Sequence, residues 1–398
     1  MNSRNIILPI SLICCSLLIA FGLCEVMIRF TGHYDSDGNF IFLGKRLKPY
    51  HLPINQVSAT IDKFMAEKSS CYLYDPSLGW LYRPNSKSHD GMYAFNSQGI
   101  RSPVDFYSVV PKQGVIRIAL FGDSFTFGEE VPFQDTWGYL LEKRLNNKGI
   151  KVEVLNFGVG GYGMDQAYLR WEKMGKRFFP HIVMFGFQAE NLRRNVSIIR
   201  ALHWYGSKNP FTKPRFILKG NKLELMNSPA IPPEKLIDVL RNIQKWSLVQ
   251  HEYFYDKKDF QKQIWFHSKL VSFFYCILVD DVPYARKPYF LDQSVTKLGY
   301  QILETFAEAV KSTGAEFIIV NIPKKQILRQ FIKNRTQAGG ELLAELEKGH
   351  LLIRTEETLT KEHSADDICQ EHYTKKGNKI LAKIVAERLV QMIDQELL

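Results

Sequence analysis

The stretch VIRIALFGDSFTFGEE (residues 115–130) contains the turn from which the fold can be predicted. Its apolar run, residues 115–120, has the Val and Ile content of a buried strand. Gly122, Asp123 and Ser124 follow directly. Asp and Ser are common helix N-cap residues, so a plain strand-to-helix turn would use them. A serine at a helix N-terminus can also attack an ester carbonyl while its own N–H stabilises the oxyanion. Both interpretations are open at this point.

A strand-then-helix pattern repeats along the chain after this turn. The strand-like runs are KVEVLNFG (151–158), HIVMFGF (181–187) and EFIIVNIP (316–323). The helix-like segments are TWGYLLEKRLNNKG (136–149), MDQAYLRWEKMGKRF (164–178), VTKLGYQILETFAEAVKSTG (295–314) and the final GNKILAKIVAERLVQMIDQELL (377–398). This alternation predicts an α/β domain over residues 111–398, with a parallel sheet covered by helices on both faces in three α/β/α layers.

Two segments depart from this pattern. Residues 25–110 alternate aromatic residues with turn residues, as in YDPSLGWLYRPNS (74–86), and predict a β-rich N-terminal extension packed on the main domain. Residues 196–295 are rich in aromatic and basic residues. We expect them to form an insertion with its own helices over a substrate cleft.

The N-terminus predicts a membrane anchor. Residues 6–24 carry no charge, Arg4 precedes them, and Glu25 follows. Nineteen residues at about 1.5 Å each nearly cross the roughly 30 Å hydrocarbon core. Ala20 and Gly22 leave a cleavable signal peptide as the alternative reading of residues 1–24. Arg4 is expected to stay inside, which puts the rest of a single-pass protein on the extracytoplasmic face of the cell membrane.

Charge and cysteine content exclude several kinds of partner. The net charge is +11, but the basic residues are dispersed and form no nucleic-acid groove, so we expect no nucleic-acid partner. Three of the six cysteines lie in the apolar N-terminal run, and the other three are far apart in the sequence. No metal-ligand spacing is present, and we expect no structural metal.

Polar and glycine-rich segments follow the next two predicted strands. NFGVGGYGMDQ (156–166) matches G-x-G-x-x-G, which raises a dinucleotide site as one hypothesis. A glycine N–H that completes an oxyanion hole is the other. GFQAENLRRN (186–195) could direct an amide donor into the same cleft or simply cap a helix. Ligands bind at the carboxyl ends of the strands in such sheets, so these segments should meet Ser124.

One histidine lies where a general base is needed. In QEHYTKKGNKILA (370–382), His372 precedes the final predicted helix. A lone histidine there is usually structural. A histidine in the last loop of an α/β sheet whose first loop offers a serine is a candidate general base.

These segments, taken in order, resemble the SGNH (GDSL-type) hydrolase family, particularly its membrane-anchored or secreted bacterial members. The resemblance covers roughly residues 70–195 and 296–390. It implies a flavodoxin-like sheet, with Ser124 as nucleophile, Gly161 as backbone oxyanion donor and His372 as base, and no metal or organic cofactor.

The sequence departs from the family pattern in two places. The family's oxyanion Asn falls on Glu190 and its Asp on Asn191, so we expect either a repelling carboxylate or Asn191 as the donor. The Asp that precedes the catalytic histidine is also missing. Asp367 and Glu371 (with Asp366) are the candidate replacements, and a Ser–His dyad is the other solution.

The resemblance implies a serine-dependent acyl-ester hydrolase or O-acyltransferase that acts outside the cytoplasm through an acyl-Ser124 intermediate. The expected substrate is a small ester or an acylated carbohydrate of the cell envelope. A protein that kept the fold but lost the chemistry, and that binds carbohydrate or serves assembly, is the alternative.

Overall fold

The computed structural model describes residues 4–66, 71–278 and 292–395. The N-terminal elements are α1 (Arg4–Thr31), β1 (His33–Tyr34), β2 (Phe40–Phe42), β3 (Lys45–Leu47), α2 (Ile54–Ala66), β4 (Tyr72–Asp75) and β5 (Gly79–Tyr82). The first half of the α/β domain follows as β6 (Ile116–Gly122), α3 (Ser124–Phe127), α4 (Trp137–Asn147), β7 (Val152–Asn156), α5 (Met164–Lys173), β8 (Ile182–Phe187) and α6 (Asn191–Asn195).

The remaining elements belong to the insertion and to the second half of the domain. The insertion contains α7 (Arg200–His203), β9 (Arg215–Lys219), β10 (Lys222–Met226), α8 (Pro233–Arg241) and α9 (Lys269–Leu278). The second half contains α10 (Gln293–Lys311), β11 (Glu316–Asn321), α11 (Lys325–Asn334), α12 (Gly340–Leu346), β12 (Leu351–Ile353), α13 (Glu356–Thr360), α14 (Ala365–Ile368) and α15 (Lys375–Asp394). Short 3₁₀ helices occur at Phe133–Asp135, Gly175–Phe178, Ile243–Lys245, Val249–His251, Lys257–Phe260 and Ile264–His267.

A five-stranded parallel sheet organises the α/β domain. Its strand order is β12-β11-β8-β6-β7, and every neighbouring pair is parallel. The first strand along the chain, β6, therefore lies between the second and the third. Such an order brings the loops after β6, β7 and β8 to one edge of the sheet, where a ligand site is expected.

Side chains alternate between the two faces of β6, and each face has its own core. Ala119 and Phe121 belong to the buried cluster that α5 and α10 cover. Ile118 and Leu120 belong to the other cluster, which α4 and α15 cover. A strand buried on both sides needs a nearly continuous apolar sequence, which explains the run in residues 115–121. The prediction of a three-layer α/β/α fold is confirmed.

The N-terminal region is more helical than expected. Helix α1 runs past residue 24 to Thr31, because Val26, Met27, Ile28 and Phe30 continue the apolar sequence after Glu25. The part predicted to be β-rich combines α2 with a three-stranded antiparallel sheet, β1-β2-β3, and a hairpin, β4-β5. By length and composition, Ser11–Thr31 of α1 could cross a membrane.

The insertion has helices of its own, as expected, and an antiparallel hairpin of β9 and β10. Helix α10 already begins at Gln293, just inside the predicted boundary at 295. Residues 279–291 of the predicted insertion lie outside the described residues. The strand β12 and the four short helices around it were not predicted, because strands and helices of three to ten residues give weak periodicity.

Candidate active site

The nucleophile candidate lies in a tight turn directly after β6. Gly122 has φ +151°, and a Cβ there would lie 2.2 Å from Thr126 Oγ1, so only glycine fits. The Asp123 carboxylate caps α3 by accepting a hydrogen bond from the Phe125 N–H at 2.9 Å. Ser124 is the first residue of α3, and its side chain is 5% exposed. Asp123 is therefore the N-cap of α3, and Ser124 is its first helical residue.

The structure brings His372 to Ser124 from the far end of the chain. His372 Nε2 lies 2.9 Å from Ser124 Oγ, a hydrogen bond across 248 positions of sequence. The imidazole contacts the ring of Phe125, with the ring centroids 5.0 Å apart. Two residues later, Thr374 caps α15 by accepting a hydrogen bond from the Gly377 N–H. His372 thus lies between a packed aromatic ring and a rigid helix start, which fixes its position.

The carboxylate beside His372 is Glu130, two residues after the FG pair that ends α3. Glu130 Oε1 lies 3.2 Å from His372 Nδ1, and Glu130 Oε2 accepts a hydrogen bond from the His372 N–H at 3.2 Å. The approach to Nδ1 is close but too poorly aligned to count as a hydrogen bond. Glu129 Oε2 lies 3.6 Å from Nε2. Burial raises the pKa of Glu129, and the neighbouring carboxylates add to the shift.

The two acids expected to serve His372 lie elsewhere. The Asp367 carboxylate accepts from the Ser364 N–H in a helix capping box, and it is 3.9 Å from Lys376 Nζ. Glu371 is exposed, and within the described residues no side-chain contact joins it to His372. Both candidates precede His372 in sequence, but the backbone directs Glu371 into solvent and Asp367 into the cap of α14. The nucleophile turn supplies the carboxylate instead.

The N-terminal region clamps the turn that bears Glu130. The Arg101 guanidinium, 2% exposed, donates to the carbonyls of Phe127, Gly128 and Val131 at 2.9, 2.6 and 2.5 Å. Burial lowers the pKa of Arg101 to about 10. The Tyr93 hydroxyl accepts a hydrogen bond from the Glu130 N–H at 2.9 Å. Glu130 has φ +69°, an unusual value for a residue with a side chain, and these contacts hold it there.

The same region supports the glycine-rich loop after β7. The Tyr82 hydroxyl accepts from the Gly160 N–H at 3.2 Å, and Trp80 Nε1 donates to the Gly160 carbonyl at 3.1 Å. Gly161 has φ +81°, and a Cβ there would lie 3.2 Å from the Arg200 guanidinium. Within the described part of the chain, the N–H groups of Gly161 and Ser124 donate to no other protein group. These two N–H groups are therefore available for an oxyanion.

Close packing accounts for the glycines of the G-x-G-x-x-G match. A Cβ at Gly158 would lie 2.5 Å from the Phe127 nitrogen, and one at Gly163 would lie 2.5 Å from Asp165 Oδ1. These glycines are needed because the loop packs against the nucleophile turn and against α5. The spacing therefore gives no support to a dinucleotide site.

The loop after β8 directs the Asn191 side chain to other protein groups. The Asn191 amide nitrogen donates to Asp123 Oδ2 at 3.1 Å and to the Tyr162 carbonyl at 3.3 Å. Its side-chain oxygen accepts from the Gln188 N–H at 2.9 Å. Asn191 is 1% exposed, so its amide serves to hold Asp123 and cannot turn to a substrate without breaking these bonds.

Glu190 is neutralised by cations. Its Oε2 lies 2.6 Å from Lys324 Nζ. Burial alone would raise the pKa of Glu190, but the charges of Arg194 and Lys324 outweigh it and lower the pKa. Arg194 is itself paired with Asp123 at 2.7 Å. The repulsion expected between Glu190 and an oxyanion is therefore compensated by the adjoining positive charges.

Sequence reasoning missed Glu129, Glu130, Arg101 and Tyr82. The only local indication for the two acids was their place directly after the nucleophile turn, in FGEE. Arg101 and Tyr82 act on loops at least 26 residues away, and nothing in their local sequence indicates it. A cavity of about 410 Å³ between α10 and α12 contains neither Ser124 nor His372, so it lies apart from this site.

No family model matches the chain, and no curated protein matches it. The solved structures to which it is similar include lipolytic proteins of the G-D-S-L family that the motifs resemble. Esterase EstA from Pseudoalteromonas sp. is 10% identical, with 70% of this chain and 98% of that chain covered and a TM-score of 0.37.

Two further structures are similar at the same level. The lipase/acylhydrolase from Enterococcus faecalis is 14% identical, covering 69% of this chain and 95% of that chain, with a TM-score of 0.36. A G-D-S-L family protein from Desulfitobacterium hafniense DCB-2 is 14% identical, covering 68% and 98%, with a TM-score of 0.33. At these identities and TM-scores the similarity says nothing about activity or substrate, and any functional proposal depends on the site itself.

Proposed function

We propose that this protein is an SGNH-type serine hydrolase that cleaves acyl esters through an acyl-Ser124 intermediate. The observation that carries the proposal is the 2.9 Å contact between Ser124 Oγ and His372 Nε2. A hydroxyl needs a base to become a useful nucleophile, and a histidine within hydrogen-bond reach is the usual one. Ser124 is at a helix N-terminus, at the edge of the sheet where ligands bind.

The reaction has two half-reactions. Ser124 Oγ attacks the ester carbonyl carbon while its proton moves to His372 Nε2. The oxyanion then collapses, the bond to the alcohol oxygen breaks, and His372 returns the proton to the departing alcohol. A second hydroxyl then gives its proton to Nε2 and attacks the acyl-serine; the bond between the acyl carbon and Ser124 Oγ breaks, and His372 returns the proton to Oγ. The acyl group leaves as an acid when the second hydroxyl is water and as a new ester when it is a sugar hydroxyl. Water as the second hydroxyl makes the enzyme a hydrolase, and a sugar hydroxyl makes it an O-acyltransferase.

Glu130 takes the part of the third catalytic group. When Nε2 accepts the serine proton, the imidazole becomes a cation whose Nδ1 faces the Glu130 carboxylate at 3.2 Å. That carboxylate stabilises the cation and orients the ring. The N–H groups of Ser124 and Gly161 receive the oxyanion, and Asn191 acts only through its hold on Asp123.

The substrate proposal is an acylated cell-envelope carbohydrate or a small ester outside the cytoplasm. It is supported by the N-terminal helix α1, whose Ser11–Thr31 segment is long and apolar enough to anchor the protein in the cell membrane. Arg4 before the apolar run favours an outward-facing catalytic domain.

Covalent labelling tests the proposal. A fluorophosphonate probe should label the folded wild-type protein at Ser124, and intact mass should show one adduct. Ser124→Ala and His372→Ala should abolish labelling. Ser312→Ala removes an exposed helix-end hydroxyl far along the chain and serves as the matched control, which should label like the wild type.

The alternative function predicts a different outcome. A carbohydrate-binding or assembly protein on this fold would show no probe adduct on Ser124 and no hydrolysis of p-nitrophenyl acetate, although circular dichroism shows it folded. Such a result would withdraw the enzyme proposal.

A further inference from the structure

Helix α9 of the insertion is apolar around its whole circumference. Its sequence, KLVSFFYCIL, carries one charge, at the first residue. A helix of this kind belongs either in a protein core or in lipid, because water penalises any apolar side that stays uncovered. Among the described residues, protein covers only one side of α9.

The covered side packs on α1 and on the small N-terminal sheet. Leu270 and Cys276 share a buried cluster with Ile28 of α1, and Phe273 packs against it. The Phe273 ring meets Phe42 of β2 edge to face, with the ring centroids 4.9 Å apart. This side accounts for about half of the helix.

The uncovered side carries large apolar residues in a row. Phe274, Ile277 and Leu278 are 51%, 45% and 76% exposed, and their spacing places them on one helical face. Ile264 and Trp265, in the 3₁₀ helix just before α9, are 80% and 53% exposed. We call these five residues the α9 apolar surface.

The start of α9 is fixed to the charged end of the α1 apolar run. The Glu25 carboxylate of α1 accepts from the Lys269 N–H at 3.0 Å and from the Leu270 N–H at 2.8 Å, so it caps α9. Arg29 of α1 donates to the His267 carbonyl at 2.6 Å. Glu25 is the first charged residue after the uncharged residues 6–24, near the C-terminal end of the Ser11–Thr31 segment that could cross a membrane. The start of α9 is therefore held beside the end of this segment.

We propose that the α9 apolar surface binds the lipid bilayer, with α9 immersed at the boundary between headgroups and acyl chains beside α1. The surface adjoins the predicted membrane span, and it contains Trp265, a residue type that is enriched at membrane–water interfaces. Exposed Lys257, Lys258 and Lys262 lie next to it in sequence, and anionic headgroups would attract them. This inference rests on the proposed anchoring by α1, and it makes the insertion a second membrane contact that fixes the orientation of the catalytic domain.

Tryptophan quenching by brominated lipid tests the contact in the full chain. Helix α1 contains no tryptophan, so every tryptophan signal comes from outside the anchor. The protein is reconstituted into phosphatidylcholine–phosphatidylglycerol vesicles with or without bromine on the acyl chains. Wild-type emission should be quenched by the bromine, and Trp265→Phe should lose most of that quenching. Trp204→Phe removes a tryptophan of similar exposure, 48%, and should keep it.

A second variant tests the same contact if Trp265 contributes little to the total fluorescence. Leu278→Trp adds an emitter to the α9 apolar surface and should increase the quenched fraction. Equal quenching in the wild type and Trp265→Phe, together with no gain in Leu278→Trp, overturns the proposal. Flotation of the same vesicles tests the membrane anchoring by α1 separately. Protein that floats with the vesicles but shows no quenching at the α9 apolar surface is anchored by α1 alone. Protein that does not float refutes both membrane contacts. Neither result bears on Ser124 labelling.

Discussion

Replacing Glu130 with Gln should slow ester cleavage without unfolding the protein. The change keeps the size and hydrogen-bonding capacity of the side chain and removes its charge. The charge matters because Glu130 Oε1 lies 3.2 Å from His372 Nδ1, where a positive charge develops in the transition state. A general base must be uncharged before it accepts the serine proton, and a carboxylate gains less from an uncharged ring than from a cation. Most of the loss should therefore fall on kcat.

The distance between the two charges and the exposure of the Glu130 side chain set the expected loss of transition-state stabilisation. Two unit charges 3.2 Å apart interact by about 1.3 kcal/mol at an effective dielectric constant of ~80 and by about 2.6 kcal/mol at ~40. The Glu130 side chain is 43% exposed, so its environment lies towards the watery end of this range. A loss of this size corresponds to a decrease in kcat of about 10- to 80-fold. A buried triad acid would give a larger effect.

The assay is the rate of p-nitrophenyl acetate hydrolysis across pH, with Glu371→Gln as the matched control. Glu371 is the same residue type, adjoins His372 in sequence and is exposed. Glu371→Gln and Asp367→Asn should keep nearly the wild-type rate. The reasoning is refuted if Glu130→Gln is as active as the wild type, and more so if Glu371→Gln or Asp367→Asn is the slow variant.

Two further predictions concern the charges and clamps around the site. Lys324→Met should lower the free energy of unfolding, measured by urea denaturation, by about 1–3 kcal/mol, because it leaves the buried Glu190 carboxylate without its closest partner. Adding Glu190→Gln to this variant should recover most of the lost stability. The pKa of folded Glu190 lies below its ordinary value of 4.5, so its contribution to stability is present above pH 4.5 and is lost as the pH falls further. Glu190→Gln should therefore make the free energy of unfolding depend less on pH in acid. An unchanged slope would contradict the pairing of Glu190 with Lys324. Arg101→Lys should cost about 2–4 kcal/mol in the same assay and slow ester hydrolysis, because one ammonium cannot reach all three carbonyls of the turn that carries Glu130. Arg177→Lys, at an exposed arginine, is its control, and equal effects of the two would exclude a specific clamp.

The parallel sheet and the meeting of Ser124 with the His372 loop could be predicted because they follow from local patterns. Apolar runs that alternate with amphipathic helices require a covered parallel sheet, and such a sheet collects its loops at one edge. The contact between Ser124 and His372 can be predicted from the positions of their two loops alone. The outline of the N-terminal region was less predictable, because its strands are short and give weak periodicity.

The carboxylate that we propose as the third catalytic group shows where reasoning from sequence fails. A family pattern directs attention to acids just before the histidine, and Asp367 and Glu371 satisfied that expectation by proximity in sequence. Proximity in space depends on backbone direction: Glu130 reaches His372 because α3 ends after one turn at Gly128 and because Glu130 itself adopts φ +69°. That conformation costs free energy on its own and persists only because surrounding contacts compensate for it.

Those contacts come from the N-terminal region, where Arg101 holds the turn carbonyls and the Tyr93 hydroxyl binds the Glu130 N–H. The segment expected to be an extension is therefore part of the site's support, and deleting it would release the acid as well as expose apolar surface. A carboxylate placed by a strained turn is specified by the residues that hold the turn, which lie 26 to 37 residues upstream of their partners. No window of sequence around the serine or around the histidine contains that information.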